Sequence, residues 1–249
     1  MRLTVIIPLY NRESFIEAAL YSLLRQRHEC ELDVLVVNDG STDRGPDRVR
    51  ALSETYYQIR LIDTANQGVT KARNVGLRNL PDDVEFVTFL DSDDVSPEHR
   101  IRDDLAVFRQ DPSLQFTYGK MRLTDCIDDA ELKPAATARV ATVRGVSLSA
   151  GMYRTQLLRE IGPFDESFEQ AEDADYLFRA FESQAKHRLT DTICVYYRQH
   201  PGNITRDKAT TVKCMMRAIH KSLRRRRLNP DLKFPTDVFD LQELTHTSF

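Results

Sequence analysis

Residues 91–94 read Asp-Ser-Asp-Asp, directly after the apolar run Phe86, Val87, Phe89 and Leu90. Such a partly β-branched run fits a strand covered on both faces. Asp91, Asp93 and Asp94 then crowd like charges at its carboxyl end, which is unfavourable unless a cation or a set of donors neutralises them. Hard oxygen ligands there suit Mg²⁺ or Mn²⁺, ions that bind through one or two carboxylates plus substrate phosphates. In open α/β sheets, ligands sit beyond the carboxyl ends of the strands. Asp91 and Asp93 therefore point to metal-assisted phosphate chemistry. The competing reading is that these acids cap a helix starting near Pro97.

Further strand ends carry polar clusters: Pro8-Leu9-Tyr10-Asn11, Asn38-Asp39-Gly40-Ser41 and Asn66-Gln67-Gly68. One such cluster is an ordinary turn, but a parallel sheet would gather all of them with the Asp91 cluster at one crevice. Asp39 could accept bonds from a nucleobase imide or a ribose, or form an Asx turn before Gly40. Arg73, one turn into a helix, could reach a pyrophosphate or a base, or simply face solvent.

The elements that must position these groups alternate. Strand patterns at 3–8, 33–37, 58–62 and 84–90 are followed by helical patterns at 13–26, 46–55, 67–80 and 97–109. That rhythm predicts a parallel sheet with right-handed crossovers and helices on both faces. Beyond about residue 120 it stops. Residues 125–144 read as a long loop, then helices at 155–161 and 171–184, a strand at 192–198 and a basic helix at 205–227. The last twenty residues have no strong pattern and suit a strap or a loose tail.

Composition excludes several classes. The 249 residues are 41% hydrophobic and 29% charged with a net charge of −3, which gives a sizeable core and no general bias toward nucleic acid or membrane. No apolar run approaches the roughly 18 residues of a membrane span. The N-terminal stretch reads as a strand rather than a signal peptide. Cys30, Cys126, Cys194 and Cys214 are too dispersed for a zinc knuckle or a redox pair. These features fit a reducing cytoplasm, and Asn203-Ile204-Thr205 is then an incidental sequon.

The ordered set of motifs resembles family 2 glycosyltransferases of the GT-A fold. It comprises Val5-Ile6-Ile7-Pro8-Leu9-Tyr10-Asn11, Val36-Val37-Asn38-Asp39-Gly40-Ser41, Ala72-Arg73-Asn74-Gly76 and Leu90-Asp91-Ser92-Asp93-Asp94. Gly162-Pro163-Phe164-Asp165-Glu166, Glu172-Asp173 and Tyr197-Arg198-Gln199-His200 follow, so the match runs from residue 2 to about 205. The resemblance implies an α/β, Rossmann-like, mostly parallel sheet with helices on both faces and a C-terminal acceptor-side extension. In it, residues 1–120 would form the nucleotide-sugar half and 121–205 the acceptor half of one domain, with 206–249 a helix and tail. The implied activity is transfer of a sugar, with inversion, from a nucleotide-diphosphate sugar to an acceptor hydroxyl in polysaccharide or glycan synthesis. UDP is the family's commonest donor base.

By the same resemblance, Pro8, Tyr10, Asn11, Asp39, Asn66, Arg73, Asp91 and Ser92 surround the nucleotide sugar. Asp93 would ligate Mn²⁺ or Mg²⁺ directly, with Asp91 reaching it through water or contacting the ribose; His200 would complete the metal's shell or contact the diphosphate, or else be a partly exposed loop histidine. Asp173 would be the base that deprotonates the acceptor, a role suited to a helix N-terminus, which favours the ionised carboxylate. Asp175, about 200° further around the helix, would instead pair with Arg179. Gly151, Met152 and Glu172 would lie on the acceptor side, with residues 125–144 as an ordering lid. Many family members carry Trp after Glu-Asp; here Ala174 stands there and the chain has no Trp. Tyr153, Phe164 or Phe168 are candidate substitutes for a sugar-stacking platform. The implied acceptor is a glycan or a lipid-linked saccharide, and nucleic acid is not implied. The basic run Arg224, Arg225, Arg226 and Arg227 is most simply a solvated helix end, and it leaves room for contact with a phosphorylated acceptor or for peripheral attachment to the inner face of a membrane. Two rival readings are a sugar nucleotidyltransferase and an inactive nucleotide-sugar-binding protein of the same fold. The first would want a glycine-rich loop where Leu9-Tyr10-Asn11-Arg12-Glu13 stands.

Overall fold

Strand β1 (Arg2–Leu9) is buried along almost its whole length and pairs in parallel with β2 (Glu31–Asp39) and β4 (Phe86–Phe89). Strand β3 (Ile59–Thr64) joins β2 in parallel at the sheet edge. These four strands alternate with helices α1 (Ile16–Leu24), α2 (Gly45–Thr55), α3 (Val69–Arg78) and α4 (Arg100–Gln110). The computed structural model describes residues 1–203 and 207–241.

Strand alternation assigns the faces. Leu3, Val5 and Ile7 pack with Leu20, Leu23, Val49 and Leu105 from α1, α2 and α4. Ile6, Val87 and Phe89 face the other way, toward Leu157, Leu158, Tyr176 and Leu177. Those residues belong to α5 (Thr155–Ile161) and α6 (Glu172–Glu182). Both faces are covered, which is why the strands read as continuous apolar runs.

The second half departs from simple winding. Strand β5 (Phe116–Thr124) does not pair with β4; β9 (Gly151–Arg154) lies between them and is antiparallel to both. Strand β10 (His187–Arg198) pairs in parallel with β5, so the order is β10-β5-β9-β4-β1-β2-β3. The segment expected as one long loop instead holds a small ribbon, β6 (Ile127–Asp128) with β7 (Lys133–Pro134), and β8 (Val140–Val143), which pairs with β5. Each piece is too short to impose a period on the sequence.

Helix α7 (Lys208–Leu228) packs on α6 through Ala218 and Ser222. Arg225 donates to Asp175 and Glu182 at 2.8 and 2.7 Å, and Asp175 also accepts from Arg179 at 3.0 Å. The chain then returns as a strap: Phe234 and Phe239 pack on Phe178 and Phe181, and Asp240 exchanges backbone bonds with Arg144. The expected boundary near residue 205, the sequon residues Ile204 and Thr205, and the tail beyond 241 lie outside the described residues.

Gly40 joins β2 to the crevice with a φ of +70°, and a Cβ there would sit 2.6 Å from the backbone nitrogen of Asn66. Both the conformation and the approach require glycine. Gly40→Ala is expected to destabilise the fold by ~1–3 kcal/mol, read as a lowered urea midpoint with an unchanged slope. An unchanged midpoint would refute this account of the turn.

Candidate active site

Loops at the carboxyl ends of β1 and β2 are stitched to one another. Asn11, at a φ of +51°, accepts at Oδ1 from the Thr42 amide at 2.8 Å. Asp43 accepts from the Glu13 amide at 2.8 Å, and Glu13 accepts from the Arg44 amide at 2.9 Å. These bonds explain why the first helix begins at Ile16 rather than at residue 13: the preceding polar residues are used by the turn. Asp39 reaches across to the next loop, where its two oxygens accept from the Gln67 and Gly68 amides, each at 2.8 Å. A carboxylate offers about four lone-pair positions, so Asp39 positions the Asn66 loop and keeps acceptor capacity.

The crevice these loops border is a cavity of about 770 Å³. Pro8, Tyr10, Asp39, Asn66, Arg73, Asp91, Ser92 and Asp93 line one side, and Glu172 and Asp173 another. Tyr10 presents its ring to solvent at 45% exposure, so it is free to stack on a planar ligand. Leu148, Met121, Leu123 and Tyr197 add apolar wall, and Gln199 adds an amide.

Arg73 is the hinge of the acidic groups. Its guanidinium is buried and donates through Nη2 to Asp91 at 2.7 Å and through Nη1 to Glu172. Burial opposes its charge, but Asp91, Glu172 and Asp173 together outweigh that and raise its pKa above the ordinary arginine value. Asp173 has no such direct partner; its Oδ1 accepts from the Ala174 amide at 2.7 Å. Burial and the neighbouring Glu172 charge push its pKa up to about 7 against the pull of Arg73. The turn before it is strained, with Ala171 in the left-handed region at a φ of +59°.

Asp93 is held from two directions. Its Oδ2 accepts from Arg12 Nε at 2.9 Å and lies 3.0 Å from His200 Nε2. Burial resists ionisation, yet the His200 bond and the Arg12 charge bring its pKa below the usual value. His200 packs on Phe15 with ring centroids 4.8 Å apart. Asp94 does not cap a helix. Its Oδ1 accepts from the Arg198 amide at 2.9 Å, tying β4 to β10, and burial with Asp93 and Asp91 nearby raises its pKa well above the ordinary one. Helix α4 itself starts at Arg100 with no side-chain cap.

Several expected roles need correction. Arg73 does not stand free for a diphosphate, because two carboxylates occupy its fork. Gly151 and Met152 do not reach the cavity: they sit within β9, where the Gly151 carbonyl accepts from Thr88 and Arg100 and Met152 is fully buried. Tyr153, Phe164 and Phe168 are likewise core side chains, Phe164 stacking on Tyr176 at 4.0 Å, so none is a sugar platform. Asn11 shapes the turn rather than the cavity wall. Glu172 lines the cavity but is committed to Arg73. Two contributors were missed. Arg12 sits inside a quoted motif, but its partner Asp93 is 81 residues away. Arg198 Nε donates to the Asp93 carbonyl at 2.9 Å. Among the described residues, no group of three or more His, Cys, Asp and Glu side chains is gathered to hold a metal. Asp93 and His200 do pair a carboxylate oxygen with an imidazole nitrogen, a set that fits a divalent ion completing its shell with phosphate oxygens.

Comparison with known proteins bears on this geometry. The glycosyl transferase family 2 model matches residues 4–130. TarS of S. aureus (residues 1–349, solved with UDP) superposes with a TM-score of 0.68 at 26% identity, covering 94% of this chain and 67% of that one. The mannosyltransferase PcManGT of Pyrobaculum calidifontis, solved with GDP-Man and Mn²⁺, shares the fold at a TM-score of 0.67 and 20% identity, over 89% of this chain and 64% of that one. The uncharacterized glycosyltransferase EpsJ of Bacillus subtilis is 28% identical over 219 residues, which are 81% of this chain and 62% of that protein. Glycosyltransferase GlyA of Streptococcus pneumoniae is 40% identical over 93 residues, 37% of this chain but 13% of that protein.

Because the Asp173 pKa is raised from 3.8 to about 7, its protonated form favours the fold, and that contribution is lost as pH rises through about 7. Asp173→Asn is therefore expected to melt higher than the parent near pH 8, with the gap closing toward pH 4. A gap that does not change with pH would show that the carboxylate is not desolvated.

Proposed function

The chain belongs to glycosyl transferase family 2, and from that premise we propose that it is a divalent-metal-dependent, inverting glycosyltransferase. In this reading it moves a sugar from a nucleoside diphosphate sugar, a UDP-sugar, to a hydroxyl of a glycan or lipid-linked saccharide in polysaccharide or glycan synthesis. The observation that carries it is the placement of two acidic sets on one cavity, Asp91 and Asp93 at the end of β4 and Asp173 at the start of α6. The solved TarS complexes with UDP and with UDP-GlcNAc, both at 26% identity, support the choice of donor base. Relatives matched in sequence include proteins named for teichoic acid and succinoglycan biosynthesis, over 40% and 39% of this chain.

Tyr10 supplies a ring for the base, and Asp39 offers its remaining lone pairs to the ribose or the imide. Asp93 and His200 would hold Mn²⁺ or Mg²⁺, with Asp91 alongside. Such an ion, when bound, neutralises charge on the diphosphate as it leaves. Asp173 accepts the proton of the acceptor hydroxyl as its oxygen bonds to the anomeric carbon. The bond from that carbon to the diphosphate oxygen breaks, and its electron pair leaves with the nucleoside diphosphate. A base must be ionised to act, so the about-7 value of Asp173 gives activity that rises through neutral pH. Arg73 donates to both Glu172 and Asp91 and so holds them in place beside it.

Asp173→Asn is expected to lower transfer by at least about 10³-fold while donor stabilisation of the fold persists, read by thermal shift with UDP-sugars. Loss of donor binding instead would remove Asp173 from the base role. Asp93→Ala should weaken nucleotide binding with Mn²⁺ and change it little in chelator; titrations that match the parent in both would refute the ligand assignment. A nucleotide-sugar panel read the same way separates the donors, and turnover separates an enzyme from an inactive binder.

A further inference from the structure

Helix α7 is apolar on the wrong side for a core helix. Cys214, Ala218 and Ser222 face inward, yet Val212, Met216, Ile219 and Leu223 are 61, 60, 37 and 53% exposed. At 100° per residue these four fall within an arc of about 60°, centred about 130° around the helix from the buried positions. The helix contains many Lys and Arg residues and no Asp or Glu. Its other Lys and Arg side chains are committed: Arg225 to Asp175 and Glu182, Arg226 to Glu182, Lys221 to Asp165, and Arg217 to Ser167. Lys208, Lys213, Arg224 and Arg227 are exposed and flank the apolar stripe, and none of them pairs with a carboxylate of the described residues.

We propose that this outer face of α7 is a docking surface for a membrane of anionic phospholipid. Apolar side chains bordered by unpaired cations match the acyl and headgroup layers of such a surface. A second copy is disfavoured, because two such faces would bring cations against cations. No described helix is long and apolar enough to cross a membrane, so the contact is a surface one. Thr211 and Met215 of the same helix line the cavity, so docking would set its mouth beside the lipid; that this serves a lipid-linked acceptor rests on the proposed reaction, whereas the surface itself does not.

The test is co-sedimentation of the full chain with vesicles of phosphatidylcholine, with and without phosphatidylglycerol. The parent is expected to sediment with the anionic vesicles and to be released by salt. Arg224→Gln with Arg227→Gln should weaken that binding on the order of 10-fold, and Met216→Glu with Leu223→Glu should abolish it. All these positions are exposed, so unchanged melting curves are expected in both variants. A parent that ignores anionic vesicles, or variants that bind as the parent does, would overturn the proposal. So would a parent dimer dissociated by Met216→Glu, which would assign the stripe to a second copy. Nucleotide-sugar stabilisation is measured on the same samples: vesicle binding without it supports the surface and counts only against the reaction.

Discussion

Three of the acids in the crevice, Asp91, Glu172 and Asp173, depend on one buried guanidinium. Arg73 comes from α3, Asp91 from the end of β4 and Glu172 from the start of α6, so one side chain joins three separately folded pieces of chain. A planar guanidinium fork presents donors suited to serving two carboxylates at once. Removing one partner of such a cluster leaves an unpaired buried charge, which is far more unfavourable than losing a surface pair. The arrangement also sets the two adjacent acids apart: Glu172 takes the arginine, and burial beside the Glu172 charge pushes the Asp173 pKa up to about 7.

A second set of cations gathers the other acids. Arg12 and His200 converge on one oxygen of Asp93, while Arg198 takes the Asp93 carbonyl and gives its amide to Asp94. The acidic run after β4 is thereby tied to β1 on one side and to β10 on the other. Like charges in such a run need donors or a cation, and here the donors are protein groups from distant segments.

What could be read beforehand follows from how local each signal is. Strands β1 to β4 and their helices were legible because burial on both faces writes itself into consecutive residues, and the acids at strand ends were legible because topology alone collects them. Family resemblance supplied the pairing of Asp93 with Asp173, which no spacing reveals. Arg12 and Arg198 were missed because their partners lie 81 and 105 residues away. Gly151, Met152 and Tyr153 were misread for a related reason. Strand β9 is four residues long and carries no period of its own, so nothing in the chain announces that this stretch is an interior strand.

That short strand also limits how the molecule can move. Strand β9 is hydrogen-bonded to β4 on one edge and to β5 on the other, and the Gly151 carbonyl is gripped by Thr88 and Arg100. The two halves flanking the crevice are therefore leaves of a single continuous sheet, with no hinge between them. Rigid-body closing of one half on the other would have to break that ladder. Access to the crevice is left to its rim, to the loops around Tyr10, Asn66, Glu169 and Asn203 that border the opening.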